Sequence, residues 1–375
     1  MLYPVLELLI MFTLSLGILL VLRKFAKKIR LVDLPKGRKM HKGAIPLVGG
    51  IAIGITFILF LFLNPDSIPS STHFSFSILV LLIIGFLDDK YDVNFKIRFL
   101  VQALIAVSMM LFAGVKLHNL GDMLGFGPIH LGWLGYVITI FGVVGTINAF
   151  NMVDGIDGLL GGLSIVTFSA IGLVLIYDGQ ESIAYVAVVI VTIMLPYVLL
   201  NLGLLGRRYK IFMGDAGSMV IGFVVVWFLL CTSQIRGEPL IRPVTALWFI
   251  AVPLMDMTAI MIRRIRRGDS PFKPDREHLH HIFQRLGFSS VQTLLFICSL
   301  AIVFAGFGYY GEVTNIAESI MFYSFLAVFA VYAFLLAYVW RITAKLRSWF
   351  YLETHHSKTT DESSISKDIK TFEQF

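Results

Sequence analysis

The chain has 375 residues, of which 57% are hydrophobic and only 15% charged, with a mean hydropathy of +0.82 and a formal net charge of +7. Water-soluble chains are close to half apolar and a quarter charged, so this composition excludes a soluble globular protein and requires lipid as part of the solvent. Cys231 and Cys298 fall in or beside separate apolar runs, which excludes a disulfide framework and a cysteine-based zinc site.

In chain order, the first element is an apolar run over 2–22, followed by Arg23, Lys24, Lys27, Lys28 and Arg30. A cleaved secretory signal carries its positive charge ahead of the apolar run. This segment has the reverse polarity and reads as a retained first helix with its N-terminus outside. Further apolar runs follow at 46–63, 74–87, 98–115, 132–147, 160–177, 183–203, 216–232, 244–262, 292–310 and 317–340. A bilayer-crossing helix needs about 17–25 such residues, so the pattern predicts an all-α polytopic membrane protein of about eleven transmembrane helices. An odd number puts the two termini on opposite sides. Loops 23–45, 88–98, 204–215 and 263–290 and the tail from 341 hold 28 of the 31 Lys and Arg, and the other face has only Lys116, Arg236 and Arg242. By the positive-inside rule the basic face is cytoplasmic, which makes the N-terminus periplasmic and the C-terminus cytoplasmic. Residues 1–352 are expected to form the integral membrane domain. The polar stretch 353–375 is expected to be a cytoplasmic tail without fixed structure.

Charged groups near spanning helices are costly and usually carry a task. Asp88 and Asp89 lie in IIGFLDDKYD, Asp154 and Asp157 in NAFNMVDGIDG, and Asp215 in FMGDAGS. All five fall in loops that the basic residues place on the cytoplasmic side. Adjacent residues on a helix point about 100° apart, so Asp88 and Asp89 are not expected to share one role. Asn148, Asn151, Asp154 and Asp157 recur at every third position, and Gly155 and Gly158 argue against an intact helix there. The segment reads as a helix end unwinding into a loop that gathers two amides and two carboxylates. Asp215 precedes small residues that open a helix, with Arg207, Arg208 and Lys210 upstream. A phosphate-binding helix mouth and a plain Asp N-cap both fit that setting.

The largest basic loop offers Arg276, His278, His280 and His281 in PFKPDREHLHH. Anion binding explains the histidines as well as zinc does, and no cysteine accompanies them. In the N-terminal loop, Arg38, Lys39, His41 and Lys42 are candidates for phosphate contact, while Arg23 to Arg30 read as boundary charge. Asp256, near Pro253 in the ninth run, is expected to satisfy backbone freed by the proline and is given no catalytic role.

Carboxylate and amide oxygens favour Mg²⁺ or Mn²⁺, and Mg²⁺ is usually held by one or two carboxylates plus substrate phosphates. Two unit charges roughly 4 Å apart repel by about 4 kcal/mol at an effective dielectric near 20, so joining two anionic reactants needs a divalent metal and fixed cations. An ion-coupled transporter or lipid-linked sugar flippase would place ionisable groups at the membrane midplane, with access from both faces. Acidic clusters confined to one face argue against that reading, as does the lack of an internal repeat.

DDKYD, NAFNMVDGIDGLLGG, RRYKIFMGDAGS, PLMDM and SPFKPDREHLHH, spread from about residue 31 to 340, resemble the polyprenyl-phosphate N-acetylhexosamine-1-phosphate transferases. The resemblance implies UDP-N-acetylglucosamine as donor, undecaprenyl phosphate as acceptor and UMP as by-product. It implies the initiating step of polysaccharides of the O-antigen and enterobacterial common antigen type. Another UDP-N-acetylhexosamine is the alternative donor. It makes Asp215 a metal ligand with Asn151 beside it, and assigns Asp88 and Asp89 to the acceptor phosphate and catalysis. Asp154 and Asp157 fall to the donor, and either Lys96 or Arg98 to the lipid phosphate. The loop with Arg276, His278, His280 and His281 resembles the family's sugar-recognition loop. It reads DREHLHH and not an uninterrupted triple histidine, which argues against a muramoyl-pentapeptide donor. No nucleic acid partner is expected, and a homo-oligomer is left open.

Overall fold

The computed structural model describes residues 2–35, 43–234, 239–271 and 277–355. Arg38, Lys39, His41, Lys42, Arg236, Arg276 and most of the polar tail lie outside the described residues. Helix α1 (Leu2–Lys28) leads through a two-stranded antiparallel ladder, β1 (Val32–Asp33) with β2 (Ile45–Pro46), into α2 (Gly49–Leu63). Then come α3 (Ser71–Tyr91), α4 (Phe95–Phe112), α5 (Leu134–Val153), α6 (Leu159–Tyr177), α7 (Glu181–Asn201) and α8 (Asp215–Ser233). The chain continues with α9 (Pro243–Phe249), α10 (Ala251–Arg266), α11 (Leu279–Arg285), α12 (Ser290–Val313) and α13 (Glu318–His355).

Among the described residues, nine helices are long and apolar enough to cross a membrane, and α9 with α10 passes the same test as a pair bent by 81°. With the shorter apolar helix α2, of 15 residues, they match the predicted apolar runs one for one. The chain is therefore an all-α, multi-pass membrane protein. Two features were not foreseen: the sharp break at Ile250 and the short helix α11 inside the histidine loop. Large apolar side chains such as Val21, Leu104, Leu111, Phe112 and Val303 lie exposed on α1, α4 and α12. That outward-facing surface suits lipid and would be a liability in water.

The first compact unit is Met1–Val328. Within it α8 is buried along almost its whole length and packs against α5, α3 and α2. Close backbone approach makes this possible. A methyl group at Gly85 would come within 2.2 Å of the Ala216 Cα, and one at Gly50 within 1.8 Å of the Gly217 Cα. Helices in lipid associate through small residues that let backbones touch, and any side chain at these two positions would pry the helices apart. At the other end of the same interface, Phe74 of α3 stacks on Trp227 of α8 with ring centroids 4.5 Å apart. The two contacts fix the register of α3 against α8, which brings the last turn of α3 to the first turn of α8. The chain entering α2 is stitched to the same place, since Gly49 and Gly50 donate N–H bonds to the Phe212 and Met213 carbonyls, each at 2.9 Å. The second unit, Phe329–Phe375, consists in its described part of the C-terminal portion of α13.

Candidate active site

Asp88 and Asp89 are both in the last turns of α3, and they diverge as adjacent helical residues must. Asp89 faces α8. Its Oδ1 accepts the Asp215 N–H at 2.8 Å and its Oδ2 the Ala216 N–H at 3.2 Å. It thus satisfies two of the unpaired amides at the start of α8 and places negative charge at the positive end of that helix. The N-cap position itself is Gly214, so the reading of Asp215 as an N-cap is replaced: the capping carboxylate comes from another helix. Asp88 is buried and is hydrogen-bonded by Arg98 from the first turn of α4. The same Arg98 nitrogen lies 3.8 Å from Asp215 Oδ2, so one guanidinium stands between the two carboxylates. Lys96 is exposed and makes no such contact in its own first turn. Of Lys96 and Arg98, one of which is expected at the lipid phosphate, Arg98 is the one at the acidic cluster.

Helix α5 does not unwind where the threefold spacing of amides and carboxylates suggested. It stays helical to Val153, and its two asparagines, neighbours on one face, take different partners. Asn151 donates to Asp215 Oδ1 and to the Ser218 hydroxyl, each at 2.7 Å. Asn148 turns away and donates to the Gln102 side chain of α4 at 2.8 Å. The expected gathering of two amides and two carboxylates is therefore corrected to one amide, Asn151, joined to Asp215. Long-range partners for both asparagines hold the backbone helical against their weak intrinsic preference.

The turn 154–158 begins only after Val153. Asp157 pairs with Lys210 Nζ at 2.5 Å. Asp154 is half-buried. Burial, with the Asp215 and Asp157 carboxylates nearby, pushes its carboxyl up to about 7. A residue that no sequence motif indicated holds this turn. Asn201, buried at the end of α7, accepts the Gly158 N–H at 2.5 Å and donates to the Ile211 carbonyl at 2.8 Å. It joins the turn to the strand-like segment that delivers Asp215. Arg207 and Arg208 are exposed just upstream. The Arg208 carbonyl accepts from Arg23, whose guanidinium lies 5.1 Å from the Tyr209 ring centre. Arg23 thus does more than mark the membrane boundary: it ties α1 to the segment before α8.

The histidines close the other side. His280 is buried against the turn, and a methyl group at Gly155 would come within 2.0 Å of its Nε2. Burial, reinforced by His281 and His278, lowers the His280 imidazole to about 3, so the ring is neutral at physiological pH. Its Nε2 has no hydrogen-bond partner among the described residues. The His278 and His280 rings lie parallel, 6° between planes, with centroids 5.9 Å apart, and the His281 centroid is 4.2 Å from that of His280. The described bonds of Asp256 lead away from its own helix. Pro253 is in the first turn of α10, where a missing N–H leaves no carbonyl unsatisfied. The Asp256 carboxylate instead reaches His278 Nδ1 at 2.8 Å and the Leu279 N–H at 3.0 Å.

Among the described residues no three His, Cys, Asp or Glu side chains converge closely enough to enclose a metal ion. An open site suits a cation held by few protein ligands. Asp215 presents a carboxylate whose side chain is 39% exposed, beside the Asn151 amide, and this oxygen donor set fits Mg²⁺ completed by water and substrate phosphates.

Helix ends, carboxylates, one guanidinium and a cluster of imidazoles assembled on a membrane-embedded scaffold define an enzyme that handles anionic groups. Residues 71–233 match the domain described as glycosyl transferase family 4. The undecaprenyl-phosphate alpha-N-acetylglucosaminyl 1-phosphate transferase of Yersinia pestis is 48% identical over 360 residues, covering 95% of this chain and 98% of that protein. The proteins of the same name from Escherichia coli K12 and Haemophilus influenzae are 48% and 46% identical, covering 85% and 88% of this chain and 87% and 93% of those proteins. The chain belongs to this family of phosphoglycosyltransferases.

Proposed function

We propose that the protein transfers N-acetylglucosamine 1-phosphate from UDP-N-acetylglucosamine to undecaprenyl phosphate and releases UMP, at the cytoplasmic face of a bacterial inner membrane. The observation that carries this reading is the meeting of Asp88, Asp89, Arg98, Asn151 and Asp215 at the ends of α3, α4, α5 and α8, in a chain nearly half identical to transferases of that name. The basic residues concentrated in the loops on that side support its cytoplasmic orientation. The initiating step of O-antigen type polysaccharide synthesis follows from the same reading.

Each side chain then takes a role that its surroundings permit. Asp215 and Asn151 would hold Mg²⁺ or Mn²⁺, which when bound supplies positive charge for the donor phosphates. Arg98 receives the acceptor phosphate, and Asp88, tethered to Arg98, accepts its remaining proton or orients it. Asp89 keeps the mouth of α8 in place. Asp154 and Asp157 contact the donor from the turn, and the His278–His281 segment faces its sugar. The neutral His280 ring suits an uncharged hydroxyl or amide better than a phosphate.

The acceptor's second phosphate pKa is near 6, so at neutral pH it is largely dianionic and already nucleophilic. Direct attack on the donor's sugar-bearing phosphorus forms the new P–O bond as the bond to UMP breaks, and no covalent enzyme intermediate is required. Purified protein given undecaprenyl phosphate, Mg²⁺ and a panel of UDP-sugars should release UMP and form lipid-linked product with UDP-N-acetylglucosamine. Rigorously delipidated protein given donor and Mg²⁺ alone should release no stoichiometric burst of UMP. No turnover with the first mixture sinks the assignment, and a burst near one UMP per site in the second sinks direct displacement.

A further inference from the structure

Asp256 is the most deeply buried carboxylate that the proposed chemistry leaves without a task, at 1% exposure on a helix whose neighbours are apolar. An ionised group at that depth persists only when it is paired and hydrogen-bonded. Both of its oxygens are engaged by α11: Oδ2 with His278 Nδ1 and Oδ1 with the Leu279 N–H. His278 is the N-cap of α11 and makes no capping bond with its own side chain, so Asp256 supplies that function from α10. A second clamp acts beside it. Glu277 pairs with Arg263 in the last turn of α10 at 3.2 Å and with Arg267, the residue that ends it, at 2.7 Å. The start of α11 is therefore fixed to α10 at two heights.

The consequence reaches the turn 154–158. A carboxylate facing His278 Nδ1 assigns the proton to that nitrogen and fixes the plane of the ring. The His280 ring lies parallel to it, and His280 Nε2 lies against Gly155. Asp256, His278, His280 and Gly155 thus form one continuous chain of contacts from the interior of α10 to the turn that carries Asp154 and Asp157.

We propose that Asp256 is a positioning residue for the donor sugar: by fixing the ring of His278 and the start of α11, it holds His280 at the 154–158 turn. This rests on the reading that the histidine segment faces the donor. A buried pair that served only stability would, on loss, lower the folded fraction and affect both substrates alike. A positioning pair affects one.

The test is steady-state kinetics on the full-length protein in detergent, with UDP-N-acetylglucosamine and undecaprenyl phosphate varied separately and UMP as readout. Asp256→Asn keeps an oxygen for the Leu279 N–H and removes the charge that orients His278. It should raise the donor KM by up to about tenfold, no more than the loss of the His280 hydrogen bond itself, with the acceptor KM unchanged. Asp256→Glu should recover part of that loss. The double variant Asp256→Asn with His278→Gln should be no worse than the worse single variant, because the two act as a unit. Unchanged donor KM in Asp256→Asn, or proportional loss for both substrates, overturns the proposal. Should Asp256→Asn not fold, the same split is read from His278→Gln, where an unchanged donor KM overturns it. A wild-type protein that turns over no UDP-N-acetylglucosamine overturns the donor assignment and this proposal together.

Discussion

The two sides of the site are held in opposite ways. On the carboxylate side, Asp88, Asp89, Asn151 and Asp215 sit at helix ends, and their partners are backbone amides, an arginine and one another. Helix packing puts them there: the small residues Gly50, Gly85, Ala216 and Gly217 let α2, α3 and α8 touch, and the side chains follow. On the histidine side the helix is short, His278 and His280 are buried, and a carboxylate on the preceding helix fixes the orientation. One side is a rigid frame for charge that opens to solvent at Asp215. The other is a cluster of rings built around the buried His278 and His280. A transferase that joins two phosphates while recognising a sugar needs both kinds of surface, and mutations should separate them.

The largest effect is expected at Asp215. Asp215→Asn should lower turnover by orders of magnitude and flatten the Mg²⁺ titration, since a neutral amide is a poor substitute for a carboxylate ligand. Ordinary turnover with an unchanged Mg²⁺ dependence would remove Asp215 from the metal site. The neighbouring pair sharpens the same side of the comparison. Asp88→Asn should cut kcat with little change in melting temperature, because an amide still fills the site beside Arg98. Asp89→Asn weakens the carboxylate bonds to the Asp215 and Ala216 amides, and a capping carboxylate is worth about 1 kcal/mol, so it should also lower the melting temperature in detergent. Identical behaviour of the two variants in both assays would contradict their division of labour.

The carboxylate side was largely legible in the sequence because its parts are local. DDKYD, the 148–158 segment and FMGDAGS each carry acidic residues beside glycines at the end of an apolar run, and apolar periodicity located the helices themselves. What the sequence did not disclose depends on contacts between distant positions. Gln102 and Ser218 keep α5 helical past the point where its asparagines and following glycines suggest unwinding. Asn201 looks like an ordinary helix-end residue until its bonds to Gly158 and Ile211 are seen. Asp256 sits in an apolar run next to a proline, and local reasoning assigns it to the proline. Its partner lies 22 positions away. Burial of His280 was equally hidden, since nothing in DREHLHH sets its ring apart from those of His278 and His281.

That burial alters the expectation for the histidine side. His280→Ala removes a ring that is 2% exposed, so some loss of stability accompanies it. The donor KM should rise up to about tenfold, the worth of one net hydrogen bond, while the acceptor KM stays put. Equal changes in both constants would mean that the ring only fills space.

The smallest effect is the most diagnostic of how the two sides meet. Asp154 stands between them, with its carboxyl pushed up from 3.8 to about 7 by burial and by the facing Asp215 and Asp157 carboxylates. A raised carboxyl pKa means that the folded state binds the proton more tightly than the unfolded state does. The stabilisation is fully present below about pH 4 and is lost as pH rises through about 7, when the side chain ionises among other anions. In metal-free protein, then, the melting temperature should fall between pH 5 and pH 8, and Asp154→Asn should reduce that fall by a few degrees because its amide does not ionise. Other groups titrate over the same range, so the readout is the difference between the two curves and not either curve alone. Mg²⁺ should narrow that difference at pH 8, since a bound cation offsets the repulsion that ionised Asp154 meets from Asp215. Parallel curves for wild type and Asp154→Asn in EDTA would show that Asp154 is ionised well below neutrality, and that the turn is open to water.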